Sequence, residues 1–476
     1  MSKHDYTEKT NHDNRNHRWG VSGTLTAFHL VRQRKPARVI LIDQRTGFGL
    51  GLAYSTPSLR HLLNVPAGKI SALPDQPNHF LDWLRKNHDP AATEKTFAPR
   101  AVFGRYIQSL LASTSLIEQE IATVVDLRPQ DCGAVLTLDN GCELRADLVV
   151  LATGNFDPAP LPGVTKAASN SGLYRHNAWA AETYEGLHRD APVALIGTGL
   201  TGVDVVLRLR ELGHRGRIIA LSRHGIFPNR HGEYTPLSAT AIPSDTAATC
   251  VAYLRALRAA IRGGAEWRAA IDSLRETTND LWVRLPIEEK KRFRRHLQRR
   301  WEVVRHRMAP PIADVIESEL RNGTLEIHEG HLKTVDASPA GAHITLRAHY
   351  DSESFYADRV INCTGPSMNY RRIPSALLQN MFNRGLVTSG PLGTGLHCSQ
   401  DGAVIGAGGH ASEIIFNLGP GRLGDLIESI AVPEIRQQAV ELASTLADRM
   451  RSQYVLPETT ETGSATPELT GGLVAA

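Results

Sequence analysis

Pro192–Gly202 reads PVALIGTGLTG. A run of apolar residues passes straight into three glycines, Gly197, Gly199 and Gly202, at GxGxxG spacing. The run has no polar face, so it predicts a strand buried on both sides, as in a parallel sheet. The glycines allow a tight turn and let a pyrophosphate approach the N–H groups at a helix start. Val203, Val206, Leu207 and Leu209 continue as an apolar helical stripe that ends near Gly213. Arg217–Ser222 (RIIALS) then reads as the next parallel strand. Strand, turn, helix and strand together predict a dinucleotide-binding α/β unit. After the second strand, a carboxylate would bind the ribose hydroxyls and an arginine would favour a 2′-phosphate. The sequence offers Ser222-Arg223-His224, which favours NADPH over NADH and gives Arg223 the phosphate.

A partial copy of the same turn stands near the N-terminus. Gly20 and Gly23 hold the second and third positions, and Arg18 occupies the first. Val21, Leu25 and Phe28 start an amphipathic helix, and Ala37–Ile42 (ARVILI) leads to Asp43, about 20 residues on, where a ribose-binding carboxylate belongs. Thr10–His17 (TNHDNRNH) contains no apolar residue and cannot form the buried strand that should precede the turn. The expectation is a first sheet without its central strand. A second echo links Ala146–Gly154 (ADLVVLATG) with Ala357–Gly365 (ADRVINCTG), and Asn140-Gly141 before the first copy suits a type I′ hairpin turn.

The fold class expected is α/β, with two Rossmann-like domains and a helical segment. The chain of 476 residues has room for both. The first domain is expected at 19–180 and 345–450, and the second, inserted into it, at 190–344 with a helical stretch at 247–320. The flanks 1–18 and 457–476 read as disordered from their polar composition.

These motifs, together with Phe48–Tyr54 (FGLGLAY), His61–Ala72 (HLLNVPAGKISA), Arg100–Tyr106 (RAVFGRY), Trp301–Pro310 (WEVVRHRMAP) and Val432–Gln438 (VPEIRQQ), resemble the FAD/NAD(P)-binding proteins related to flavin-dependent N-hydroxylating monooxygenases. The resemblance covers about Gly20 to Ala443. It implies FAD in the first domain and NADPH in the second. It also implies that the loop of Asn64, Val65 and Pro66 approaches the flavin, that Thr153 and Gly154 close a strand against FAD, and that Gly419 and Pro420 lie near the isoalloxazine. The activity implied is an FAD- and NADPH-dependent oxidoreductase, a monooxygenase acting on a small amine or amino acid. An NADPH-flavin reductase or dehydrogenase with a separate acceptor, and a non-catalytic nucleotide-binding protein, are the alternatives.

Other classes lack support in the residues. No apolar run approaches the ~20 residues that cross a bilayer, and Met1–Arg18 lacks the apolar stretch of a secretory signal. A soluble protein without a membrane partner is expected. Cys132, Cys142, Cys250, Cys363 and Cys398 show no CxxC spacing, which fits a reducing cytoplasm and no cysteine-rich metal site. None of the 20 histidines sits in an HExxH, so no metal is expected. Lys290–Arg307 is strongly basic, and Phe293, Leu297, Val304 and Met308 recur on one helical face. It reads as a packed amphipathic helix with its charges in water. A cationic face near the second turn could also attract NADPH phosphates or an acidic substrate. Nucleic acid is not an expected partner, since no recognised binding module accompanies the charge.

Overall fold

Short strands that are apolar on both faces must be covered on both faces, and two parallel sheets satisfy this in the computed structural model, which describes residues 20–34, 37–44, 47–348, 351–454 and 472–475. The first sheet runs in the order Ala403–Ile405, Ala411–Asn417, Leu148–Leu151, Gly472–Ala475, Arg38–Asp43, Ile117–Ile121. All neighbours are parallel except the first pair. The second sheet is wholly parallel, in the order Leu325–Glu329, Ile218–Ser222, Val193–Ile196, Arg359–Asn362, Tyr174–Arg175.

Side-chain alternation splits each sheet between two cores. In the first, Val39, Leu41, Leu148, Val150 and Leu473 face the helices Val21–Arg32, Arg100–Ala112 and Val432–Tyr454, packing with Leu25, Phe103 and Leu446. Ile40, Ile42, Val149, Leu151 and Val474 face the other way, against Tyr370 and Leu378. In the second sheet, Val193, Leu195, Ile218 and Ala220 pack with Val203 and Val206 of the helix Leu200–Glu211, while Ala194, Ile196, Ile219 and Leu221 form the opposite layer.

The strand Gly472–Ala475 occupies the place where the sequence left a gap. It lies parallel between Arg38–Leu41 and Leu148–Val150, in register on both sides. Leu473 and Val474 are buried, one in each core. Burying these two side chains stabilises by about 1.5–3 kcal/mol each, and the backbone of the segment is paired with a neighbour on both sides. The expectation of a disordered tail is therefore corrected at Gly472–Ala475: these residues form a strand because an open slot in a parallel sheet offers unpaired backbone groups and two apolar faces. Thr10–Arg18 and the rest of the tail, 455–471 and 476, lie outside the described residues.

Two further expectations need correction. The strand Arg359–Asn362 pairs with Val193–Ile196 and so belongs to the second sheet. The first sheet regains a strand only at Ala403, later than the expected boundary at 345. The echo of Ala146–Gly154 and Ala357–Gly365 thus reflects one element used once per sheet. In each case a three-stranded antiparallel sheet feeds it, 124–146 for the first copy and 331–357 for the second. The basic segment is not one amphipathic helix. It breaks at Leu297 into Ile287–His296 and Gln298–Arg305, which rotates the second half so that Val303, rather than Val304, is buried. Arg305 and Arg307 are also buried, not solvated.

Placing a charge at the centre of the first sheet should be poorly tolerated. Val474→Asp is expected to lower the unfolding free energy by about 3 kcal/mol or more, measured by chemical denaturation, and an unchanged midpoint would contradict the placement of this strand.

Candidate functional site

The second glycine turn is built so that each glycine has its own reason. Gly197 ends the strand Val193–Ile196 with φ +118°, and an added Cβ would meet the Cys363 carbonyl oxygen at 2.5 Å. At Gly202 an added Cβ would lie 2.5 Å from the Gly197 carbonyl oxygen, so the helix start could not pack as closely with a side chain there. Gly199 is different, because a Cβ would point into open space. It is the N-cap of Leu200–Glu211 and no side chain caps that end. The arrangement is a tight turn, an open face and a close helix contact, with the helix-start N–H groups uncapped by any side chain.

Hydrogen bonds hold this turn to its surroundings. Gly197 N donates to the Leu221 carbonyl at 2.8 Å. Thr198 Oγ1 lies 2.9 Å from Ser222 Oγ and 2.7 Å from the Ile226 carbonyl oxygen. Arg299 Nη2 donates to the carbonyls of Thr198, at 3.1 Å, and Ile226, at 2.7 Å. Arg223, just past the strand Ile218–Ser222, is exposed at the mouth of a cleft of about 680 Å³ that it shares with Arg299 and Arg300.

The first turn is more loosely specified. Gly20 is the N-cap of Val21–Arg32, again without a side-chain cap. An added Cβ would approach the Gly51 Cα at 3.4 Å, so the FGLGLAY segment lies beside the turn. Gly23 lies against Ala152 of the strand that Thr153 and Gly154 follow. Gly419, with φ +74°, meets the first turn of the same helix: a Cβ there would lie 2.4 Å from Ser22 Oγ. Pro420 follows it in a buried 3-10 turn. Asp43 ends the strand Arg38–Asp43 and is buried. The Gly154 carbonyl accepts a hydrogen bond from the buried Tyr370 hydroxyl at 3.3 Å. Asn155 Oδ1, next along the chain, is buried without a hydrogen-bond partner among the described residues. Thus Gly20, Gly23 and Gly419 are brought together around one helix start. In the loop of Asn64, Val65 and Pro66, the Asn64 carbonyl accepts from His231 Nε2 at 2.9 Å, while Val65 is buried in the first unit's core. Burial, with Arg307 nearby, pushes His231 down to about 4.

Sequence reasoning missed the groups that join the two units. Asp204, on the second-turn helix, is 2% exposed and takes both Nη atoms of Arg100, at 2.7 and 3.2 Å. Its backbone carbonyl accepts from His61 Nε2 at 2.9 Å, which leaves His61 Nδ1 to accept from Thr56 Oγ1 at 2.7 Å. Burial keeps His61 below its ordinary pKa, in the neutral form that this pattern needs. The signal available was a carboxylate in the apolar stripe between Val203 and Val205. A second clamp joins the helical segment to the first unit: Arg305 lies 3.3 Å from Glu428 and 2.9 Å from Glu434. Burial alone would raise the Glu428 pKa, but Arg305, with His306 and the Trp301 indole, outweighs it and brings Glu428 down to about 2.

A family model described as FAD-NAD(P)-binding matches residues 19–156. No curated protein matches the chain. Among solved structures, the chain is similar to an ornithine N-hydroxylase from Kutzneria sp. 744, whose structure carries reduced FAD, NADP+ and L-ornithine (TM-score 0.62, 14% identity, covering 91% of this chain and 98% of that one). It is similar to an ornithine hydroxylase from Pseudomonas aeruginosa (TM-score 0.61, 14% identity, 91% and 99%) and to a bacillithiol disulfide reductase from Bacillus cereus (TM-score 0.52, 16% identity, 91% and 97%). At these identities the likeness is one of fold.

The two outer glycines of the second motif should behave differently from the middle one. Gly202→Ala is expected to cost about 1–3 kcal/mol of stability through overpacking, whereas Gly199→Ala, with open space for its Cβ, should cost only the weaker N-cap, about 0.5 kcal/mol. Equal losses would contradict the open face at Gly199. Glu428 has a folded pKa of about 2 against an ordinary 4.5, so its stabilisation is present above about pH 4.5 and is lost as pH falls towards 2. Glu428→Gln should flatten that acid-induced loss in a denaturation series, and an unaltered pH profile would contradict the clamp.

Proposed function

We propose that this chain, an FAD-NAD(P)-binding protein over residues 19–156, is a flavin-dependent oxidoreductase that holds FAD at its first glycine turn and NADPH at its second. The observation that carries the reading is the pair of parallel sheets, each with a glycine-capped helix start that no side chain closes. The open face at Gly199 suits phosphate oxygens, and the orphaned Asn155 Oδ1, an acceptor, suits a ligand hydroxyl. The sites' residues follow from position. The helix-start N–H groups after Gly199, with Gly197 and Gly202 shaping the turn, hold the NADPH pyrophosphate, and Arg223 holds the 2′-phosphate. Gly20 and Gly23 serve the FAD pyrophosphate, Asp43 the ribose hydroxyls, and Thr153, Gly154, Gly419 and Pro420 the flavin side. The loop Asn64–Pro66 lies at the boundary with the second unit and forms the wall between the two cofactors.

When bound, the pair supplies hydride from NADPH to the flavin and electrons from the flavin to oxygen. The chain's own work is to position and to exclude water. The bidentate Arg100–Asp204 pair and the His61–Asp204 bond fix one unit against the other in a nearly dry contact. The thiols of Cys250, pushed up to about 11, and Cys398, pushed up to about 12, are poor thiolates because they are buried. A relay through those two thiols is therefore disfavoured. The solved ornithine hydroxylases with this fold extend the reading to N-hydroxylation of a small amine or amino acid.

Protein supplied with FAD should lose its visible flavin absorbance on addition of NADPH without oxygen. Readmitting air with ornithine or lysine should then yield a hydroxylamine, read by mass spectrometry. Flavin that NADPH does not reduce would contradict the reading. Oxygen-independent turnover without a hydroxylated product would select a reductase.

A further inference from the structure

The helical segment brings several cations to the end of the strand Ile218–Ser222. Arg223 lies at the junction of two clefts, of about 680 and 490 Å³. Arg294 and Arg295 line both, and Arg299 and Arg300 line the larger. The larger, of about 680 Å³, is of a size that suits a ligand of nucleotide dimensions. The carboxylates in the lining are Glu302 and Glu329. Glu302 is already engaged by Arg299 at 3.6 Å and by Gln298 at 2.9 Å. Arg294 is tied to the Leu392 carbonyl at 3.1 Å. Arg223, Arg295 and Arg300 form no ion pair with a carboxylate among the described residues.

This concentration is felt locally. His224 is held below its ordinary pKa by burial first and then by Arg223, Arg299 and Arg300, against the opposing pull of Glu329. The clefts are also fixed in position relative to the second glycine turn, because Arg299 donates to the carbonyl of Thr198 inside that turn. A dinucleotide with its pyrophosphate at Gly199 has its adenosine ribose at the end of the next strand. That end is Ser222, and the residue beyond it opens into both clefts.

We propose that Arg294, Arg295 and Arg300, supplied by the helical segment and not by the sheet, join Arg223 to bind the 2′-phosphomonoester of the pyridine dinucleotide. The inference rests on reading the second turn as a dinucleotide site. On this account a dianionic phosphate enters between two structural layers, the strand end on one side and the helix Ile287–His296 with its neighbour on the other. Selectivity for the phosphorylated cofactor is then a property of the inserted helices as much as of Arg223. The arginines need no protein carboxylate because the ligand is their counter-ion.

The test is calorimetric titration of the full chain with 2′,5′-ADP, 5′-AMP and inorganic phosphate, for the wild type and for Arg295→Gln/Arg300→Gln. Both positions are exposed, so the variant should fold, as circular dichroism would verify. The wild type should bind 2′,5′-ADP at least about tenfold more tightly than 5′-AMP, a gap of about 1.4 kcal/mol. In the variant that gap should shrink several-fold while 5′-AMP affinity stays unchanged. A full gap in the variant would overturn the role of the helical segment and leave the site to Arg223. Inorganic phosphate binding as tightly as 2′,5′-ADP would overturn it too, as a general anion patch. Failure of both nucleotides to bind the wild type would instead overturn the underlying reading of the turn.

Discussion

The parallel pairing of Gly472–Ala475 with Arg38–Leu41 on one side and Leu148–Val150 on the other is the contact on which the first sheet depends. Without it, the strand of Arg38–Asp43 and the strand of Leu148–Leu151 would each present a bare edge to a buried core, and unpaired backbone groups in such a place are costly. The segment supplies two apolar side chains of opposite facing and a backbone paired on both sides. It stands in the middle of the sheet, and the helix that starts at Gly20 packs on the same face as Leu473. The geometry of the first turn is thereby tied to residues at the far end of the chain.

Charge, not apolar packing alone, sets how the two units meet. Asp204 is nearly inaccessible, so its pairing with Arg100 is obligatory: removing either partner would strand the other in a low-dielectric contact. Arg305 with Glu428 and Glu434 does the same between the helical segment and the loop and helix that follow Gly419. Such pairs add little net stability relative to apolar packing, but they admit few alternative arrangements. A reaction that passes electrons between two bound cofactors needs a fixed separation more than it needs a stronger interface.

What could be read from the sequence was local. PVALIGTGLTG specified its strand, turn and helix because apolar run, glycine spacing and helical stripe all lie within neighbouring residues, and Asp43 was placed by its distance from the earlier turn. The echo of the two ADxVxxxTG segments was visible, but its assignment to different sheets depends on which strand each one pairs with, a non-local choice. The tail was misread for the same reason. GLVA is too short to announce itself and becomes a strand only because a slot of matching register exists elsewhere. The basic stretch misled because composition cannot show the break at Leu297, nor that Arg305 and Arg307 meet buried carboxylates distant in sequence. Asp204 and Arg100 were invisible as a pair, being far apart in sequence and joined only by tertiary packing.

The central claim is that one chain provides two separate dinucleotide cradles, one per parallel sheet. Calorimetric titration of the intact protein with FAD, and then of the FAD-loaded protein with NADPH, tests it most directly. The account predicts one equivalent of each, with the second bound in the presence of the first. Displacement of FAD by NADPH at a single shared site, or no heat from either, would contradict it.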